Sequence, residues 1–406
     1  MFAIDFPEIV PKRLAVKLTA VGERNVRNGH PWIFTDSILK LNKGGKSGDL
    51  TIVFSKNKNE VIGIGLLDPD SPIRIKMLTN IGGVTIDTSF FEEKINKAFA
   101  LRAELLETVT NSYRLLFGEN DGFPGFIADV YDNALVVKLY SAIWFPYLKA
   151  ILEKLIETTS CETVVLRLSR KLQGNGFHNF YDGQILFGKL SDEVVQFTEH
   201  GVKFSANVIK GHKTGYFLDH RHNRKNVGAL SKNKKVLDVF AYAGGFSIHA
   251  LANGAKEVTS LDISEQALQV AKENAQLNSF SGVHKTISGD AFAELKKLCD
   301  TNSKFDVVVI DPPSFAKRKT EISIALKKYE QLAKLGEKIT FKNGTLVLAS
   351  CSSRISLEEF FDINNKALQT SGRNFECFKK TFHDIDHPIT FPEGAYLKCG
   401  YYRFLD

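Results

Sequence analysis

From Val236 to the end of the chain, short apolar runs alternate with amphipathic stretches, and few architectures accept that alternation. Strands are expected at Val236–Phe240, Glu257–Leu261, Lys285–Ser288, Asp306–Ile310 and Thr345–Ala349, with two late strands at Phe375–Phe382 and Tyr396–Phe404. Helical spacing is expected at 247–253, Glu265–Leu277, Ala291–Leu298, 321–340 and 357–370. Parallel strands need long crossovers, and a helix is the usual one, so strand–helix alternation on this scale implies an α/β, mostly parallel, doubly wound Rossmann-like sheet.

The first unit of that sheet has the form of a nucleotide-type site. Val236–Phe240 are β-branched and aromatic, Ala243, Gly244 and Gly245 make a small-residue loop, and Ser247–Ala252 start a helix. A ligand sits at the carboxyl end of such a strand. The spacing is not G-x-G-x-x-G, and Asp238 at the strand–loop junction would repel a pyrophosphate, so a dinucleotide is disfavoured, as is a nicotinamide-dependent reductase. A ligand with positive charge tolerates that carboxylate. Further acids follow the next strands: Asp262 can take both hydroxyls of a ribose, Asp290 can accept from an adenine amino group, and Asp311 opens Asp311-Pro312-Pro313. Any one of them is as readily a helix cap, Asp262 above all.

The front of the chain reads differently. Turn signals at Asn28-Gly29, Gly44-Gly45, Gly48-Asp49 and Asp68-Pro69-Asp70 separate β-type runs at Ala15–Thr19, Leu50–Ser55, Val61–Leu67 and Ile73–Leu78, which suggests a small all-β barrel over 1–80. Within it, Arg24, Arg27, Trp32 and Phe34 mix cations with aromatics. Cations neutralise phosphates and aromatics stack on bases, although core aromatics flanked by surface charge give the same pattern. Asp87–Glu107 has helical spacing, with Asp87 or Thr88 as the N-cap. Residues 113–190 read strand–strand–helix–strand–strand, within an α+β module over 81–195, and the Gly118–Gly125 loop is either the lining of a cleft or a long turn. The catalytic part is expected over 196–406.

Charge and cysteine content narrow the class. The net charge of +7 suits a polyanion partner without requiring one. Residues 1–80 hold twelve Lys and Arg against eight Asp and Glu. Cys161, Cys299, Cys351, Cys377 and Cys399 are scattered and form no C-x-x-C pair, so neither a disulfide framework nor a metal site is indicated, and reduced thiols in the cytoplasm fit best. No leader-like segment and no run of about 20 apolar residues is present, which argues against a membrane span.

Asp238, Gly244-Gly245, Asp262, Asp290 and Asp311-Pro312-Pro313 together resemble a class I S-adenosylmethionine-dependent methyltransferase. Lys213-Thr214-Gly215-Tyr216-Phe217-Leu218-Asp219-His220-Arg221, Phe240–Ser247 and His387-Pro388 with Phe391-Pro392-Glu393-Gly394-Ala395-Tyr396-Leu397-Lys398 resemble the bacterial large-subunit ribosomal RNA cytosine-5 methyltransferases of the RlmI type. The likeness extends to Gly118–Gly125 and His30–Phe34 and so spans nearly the whole chain. It implies a PUA RNA-binding barrel in front. It also implies S-adenosylmethionine held by Asp238, Phe240, Tyr242, Gly244, Phe246, Asp262, Ile263 and Asp290, with Lys213, Asp219 and Arg221 near its methionine end.

Cys351, in Ser350-Cys351-Ser352, bears on the reaction. Carbon 5 of cytosine is a poor nucleophile until a thiolate adds to carbon 6 and makes the ring an enamine; methylation of nitrogen needs no thiol. The resemblance places the nucleophile at Cys351, with Asp311 as its acidic partner at the cytosine ring nitrogen. Related enzymes often carry a second cysteine after the proline of that motif, where this chain has Pro312-Pro313-Ser314, so the base that removes the carbon-5 proton is unassigned. Lys317, Arg318 and Lys319 either clamp a phosphate or form a solvated face. A paired target base would have to leave its stack.

The expected activity is therefore methyl transfer to carbon 5 of a cytosine in large-subunit rRNA by a cytoplasmic enzyme, with RNA as partner and a homodimer compatible. A guanine-nitrogen methyltransferase on the same scaffold and a non-catalytic RNA-binding assembly protein stay open. The target nucleotide and the choice between naked RNA and a particle are not legible.

Overall fold

The computed structural model describes residues 2–174 and 179–406. The chain divides into two compact units. The first comprises 1–198, 205–218 and 385–394; the second comprises 199–204, 219–384 and 395–406.

The first unit contains two sheets. Strands β1 (Arg13–Leu18), β2 (Trp32–Phe34), β3 (Ile38–Leu41), β4 (Leu50–Phe54), β5 (Val61–Leu67) and β6 (Ile73–Thr79) assemble in the order β2-β6-β5-β4-β1-β3. The expected all-β reading of this stretch omitted one helix, Ala20–Arg27, which Thr19 caps by accepting from the Gly22 amide. Its large apolar side chains are Val21, which is exposed, and Val26, which is buried, so it has no apolar stripe to betray it.

The second sheet joins β7 (Ser112–Phe117), β8 (Phe126–Tyr131), β9 (Ala134–Leu139), β10 (Thr163–Leu168) and β11 (Gln184–Phe187) in the order β11-β10-β9-β8-β7. The β-type run over Phe126–Tyr140, with a break expected near Asp132-Asn133, is two strands parted there, because Asp132 turns the chain in the left-handed region at φ 54°. The preceding helix runs Thr88–Leu101 with Asp87 as its cap, and a four-residue helix, Ala103–Leu106, follows the break at Arg102. Arg102 is fully buried; its guanidinium pairs with Asp121 at 2.7 Å and reaches the Asp386 carbonyl at 3.2 Å. Asp386 in turn accepts from the Arg114 amide at 2.9 Å. The late segment 385–394 is thus built into this unit by buried polar contacts.

A two-stranded sheet of β12 (Val194–Glu199) and β13 (Val202–Asn207) precedes the second unit's main sheet. That sheet consists of β14 (Lys235–Val239), β15 (Glu257–Asp262), β16 (Val283–Ser288), β17 (Phe305–Ile310), β18 (Thr340–Ser350), β19 (Phe375–Thr381) and β20 (Lys398–Phe404), in the order β16-β15-β14-β17-β18-β20-β19. The first five strands pair parallel and β20 inserts antiparallel. Strand order reverses between β14 and β17, which makes their carboxyl ends the crevice for a ligand. Ser264, Asp290 and Ser356 cap the helices after β15, β16 and β18. Among the described residues, no helix is long and apolar enough to cross a membrane, and no group of three metal-ligating side chains occurs.

Candidate active site

The loop after β14 is locally strained. Phe240 and Tyr242 adopt left-handed backbone at φ 64° and 48°, and Gly244 follows at φ 77°. Such conformations persist only where the surroundings over-determine them. Here the Ala241 amide bonds the Leu261 carbonyl at 3.0 Å, and the Tyr242 amide donates to Asp262 Oδ2 at 2.9 Å. A Cβ on Gly244 would lie 2.9 Å from the Ala271 methyl, so glycine serves both the backbone angle and the close helix approach.

Asp238 is 1% exposed. One carboxylate oxygen, Oδ2, accepts from the Ser247 amide at 3.0 Å and hydroxyl at 2.7 Å, while Oδ1 has no hydrogen-bond partner among the described residues. Burial raises its pKa to about 7 against the two Ser247 bonds, and the charges of Asp311 and Asp262 add to the rise. A buried acceptor with one open oxygen fits a cationic donor group.

The other acids are partly engaged. Asp262 ties the Tyr242 and Ser264 amides, the latter at 2.9 Å, so it braces the loop rather than capping the helix, and Ser264 is the cap. Asp290 is a cap, accepting from the Ala293 amide at 3.0 Å. Beside Asp262, Ile263 is 73% exposed, an apolar surface at the strand end suited to a flat ring. Phe246 is buried and meets the His220 ring edge-on at 5.5 Å.

Asp311 directly follows β17, and its backbone amide bonds the Val239 carbonyl at 3.3 Å. His220 Nε2 lies 3.3 Å from its Oδ1, a charge-pair contact short of a well-aligned hydrogen bond. Cys351 follows the adjacent parallel strand β18, and its thiol reaches the Pro312 carbonyl at 3.9 Å. Cys351 is therefore brought beside the loop that begins at Asp311, 40 positions earlier in the sequence. Ser352 Oγ donates to the Ala316 carbonyl at 3.3 Å, and Ser350 Oγ shares a 2.8 Å hydrogen bond with Tyr329, fixing the two residues that flank the cysteine. All five cysteines are thiols rather than disulfides.

Asp219 accepts from the Tyr396 hydroxyl at 2.8 Å, and the fully buried Arg221 pairs with Asp384 at 2.9 Å. Lys213 belongs to the first unit, where its backbone is left-handed at φ 58° and its carbonyl accepts from Lys138.

Three comparisons bear on this arrangement. A family model described as S-adenosylmethionine-dependent methyltransferase matches residues 114–386, and a PUA-like domain model matches 16–80. The chain belongs to the S-adenosylmethionine-dependent methyltransferase family. It is 39% identical to a "Ribosomal RNA large subunit methyltransferase" of Deinococcus radiodurans over 95% of this chain and 96% of that protein. It is 33% identical to a "Ribosomal RNA large subunit methyltransferase I" of Aliivibrio fischeri over 95% and 98%. A methyltransferase solved in complex with SAH shares the fold, with a TM-score of 0.80 over 97% of this chain and 100% of that one at 19% identity.

S-adenosylmethionine is accordingly the methyltransferase's cofactor. The open Oδ1 of Asp238 fits the ammonium that this cofactor carries, and the exposed Ile263 fits its adenine. The remaining expected residues are dispersed. Arg24 is exposed on the first helix; Arg27 is exposed but pairs with Glu23 at 3.0 Å and Glu60 at 3.6 Å. Trp32 is half-buried, donates to Glu119 at 2.9 Å and packs edge-on against Phe391 at 5.1 Å. Lys317, Arg318 and Lys319 are exposed, and the first two give their backbone amides to Glu321, which leaves their cationic heads in solvent. His220, Tyr396 and Lys398 had no assigned part, although each stood inside a motif that carried the resemblance. Contacts between remote segments define their parts, and spacing does not show those.

Proposed function

We propose that this methyltransferase acts on large-subunit ribosomal RNA, at carbon 5 of a cytosine, through a covalent adduct with Cys351. The relatives named above are ribosomal RNA large-subunit methyltransferases, and the PUA-like domain supplies a surface suited to RNA. The observation that carries the carbon-5 reading is the contact of the Cys351 thiol with the Pro312 carbonyl at 3.9 Å, which sets a nucleophile beside the acid of the Asp311-Pro312-Pro313 loop. A nitrogen methyltransferase has no use for that thiol.

In this reading the Cys351 thiolate adds to carbon 6 of the base, and Asp311 holds the ring nitrogen that gains electron density. His220 faces one oxygen of Asp311 and steadies the other toward the base. The bound cofactor supplies an electrophilic methyl to the activated carbon 5. Loss of the carbon-5 proton and departure of the thiolate then restore the aromatic ring. Arg24, Arg27 and Trp32 in the first unit, and Lys317, Arg318 and Lys319 in the second, are the proposed RNA contacts, with Asp219 and Arg221 toward the methionine end of the cofactor.

The test compares nucleosides of large-subunit rRNA from a deletion strain and its parent by mass spectrometry. A loss of 5-methylcytidine supports the reading, and a loss of a methylguanosine in its place overturns it. With purified protein, Cys351→Ala abolishes methyl transfer while calorimetric cofactor affinity stays within about twofold, the change expected when no cofactor contact is lost. A fully active Cys351→Ala enzyme rules out the covalent route.

A further inference from the structure

Lys398 is 3% exposed, which is unusual for lysine unless its charge is matched. It stands opposite Ser350 in the antiparallel pairing of β20 with β18, one residue from Cys351. Its ammonium donates to the Ser352 carbonyl at 2.5 Å and the Ile355 carbonyl at 2.7 Å, so it grips the loop that begins at the cysteine. No carboxylate lies within ion-pair distance of it among the described residues. Two carbonyl dipoles take two of its three N–H donors and supply no countercharge, a costly state in a buried site.

We propose that Lys398 is the countercharge of the Cys351 thiolate: a positioning residue that favours the ionised nucleophile and holds its loop. The inference rests on Cys351 being the nucleophile. Three other ionisable groups near the pair do not replace it. Glu359, on the helix after the loop, spends its carboxylate on the Ser356 amide at the helix cap. Asp311 carries the same sign as a thiolate and is faced by His220. Tyr329 is buried and neutral, its hydroxyl bound to Ser350. Burial depresses the Lys398 pKa to about 8, and the charges of Cys351 and Glu359 oppose that fall. Ionising the thiol thus stabilises the ammonium, and the reverse holds by linkage. An adjacent lysine is one of the recognised ways of lowering a thiol pKa.

The experiment measures the pH dependence of Cys351 alkylation by iodoacetamide in the full-length protein, with peptide mass spectrometry separating Cys351 from Cys299 and Cys377. The wild-type midpoint is expected below about 8.5, the value of an unperturbed thiol. Lys398→Met should raise it by about one unit, a tenfold loss of thiolate at pH 7, and Lys398→Arg should restore most of it. Glu359→Gln should leave it in place. An unchanged midpoint in folded Lys398→Met overturns the pairing. If that variant does not fold, a wild-type midpoint at or above about 8.5 overturns it equally. Methyl transfer by Cys351→Ala tests the carbon-5 reading separately, so the two failures are distinguishable.

Discussion

His220 and Asp311 form a charge pair at 3.3 Å whose second end is also held, because His220 Nδ1 lies 3.0 Å from the Asn223 amide nitrogen. Asn223 Oδ1 accepts from the hydroxyls of Thr381 and Tyr401, the latter at 2.9 Å, which turns the amide N–H₂ toward the imidazole. In the neutral ring Nδ1 therefore accepts, and the imidazole proton sits on Nε2, facing Asp311. Burial opposes a charged His220, but the charge of Asp311 and its contact prevail and raise the imidazole pKa. His220→Ala should lower kcat by about 10-fold, the lower end of what a contact to a charged group contributes. His220→Gln, which keeps a donor, should lose less. Equal losses in both variants would count against an orienting role.

The same pair sets a pH dependence of stability. A histidine whose folded pKa is raised contributes stability that is complete below its unfolded value of 6.5 and fades as the pH rises through the folded value. The stability difference between wild type and His220→Gln, read from urea unfolding, should therefore be larger at pH 6 than at pH 9. A difference that grows with pH would contradict the pairing.

If Asp238 receives the cofactor's ammonium as proposed, cofactor binding should be proton-linked. With a folded pKa of about 7, it is partly protonated at neutral pH in the free protein, and a cationic group at its open Oδ1 would favour the carboxylate. Binding of S-adenosylmethionine at pH 6 should then release close to one proton, falling toward zero near pH 9. Calorimetry in buffers of different ionisation enthalpy reads that number directly. Asp238→Asn should bind more weakly and release none; a wild-type release of zero at pH 6 would place the cation elsewhere.

Much of this fold is legible because its strands are buried on both faces. Val307–Ile310 and Val164–Leu166 read as continuous apolar runs, and a buried parallel strand has that character. Asp238, Asp262, Asp290 and Asp311 are legible as strand-end acids for the same reason. What composition cannot carry is contact between remote segments. That Asp386 binds Arg114 and Arg102, or that Lys398 faces Ser350, depends on register set by the whole sheet or by a late loop returning to an early one. Asp290 could be a ligand group or a cap from sequence, and the structure adds the cap without removing the other role, since a carboxylate has further lone pairs.

The second unit also holds a buried charge cluster at Glu199, Arg224 and His249. Glu199 is fully buried and pairs with Arg224 at 2.6 Å and His249 at 2.8 Å. Burial alone would raise the Glu199 pKa, but the Arg224 and His249 contacts override it and leave it well below the usual carboxylate range. Removing one partner strands a buried charge, which costs about 3–5 kcal/mol, whereas replacing the whole cluster with apolar groups need not. Arg224→Met should destabilise the protein by that amount in urea, with cofactor affinity of the remaining folded protein little changed. Adding Glu199→Gln to Arg224→Met should recover part of the loss, because it removes the stranded charge. If the double variant is no more stable than the single one, Glu199 is not held ionised, and the cluster is a packing contact rather than an ion pair.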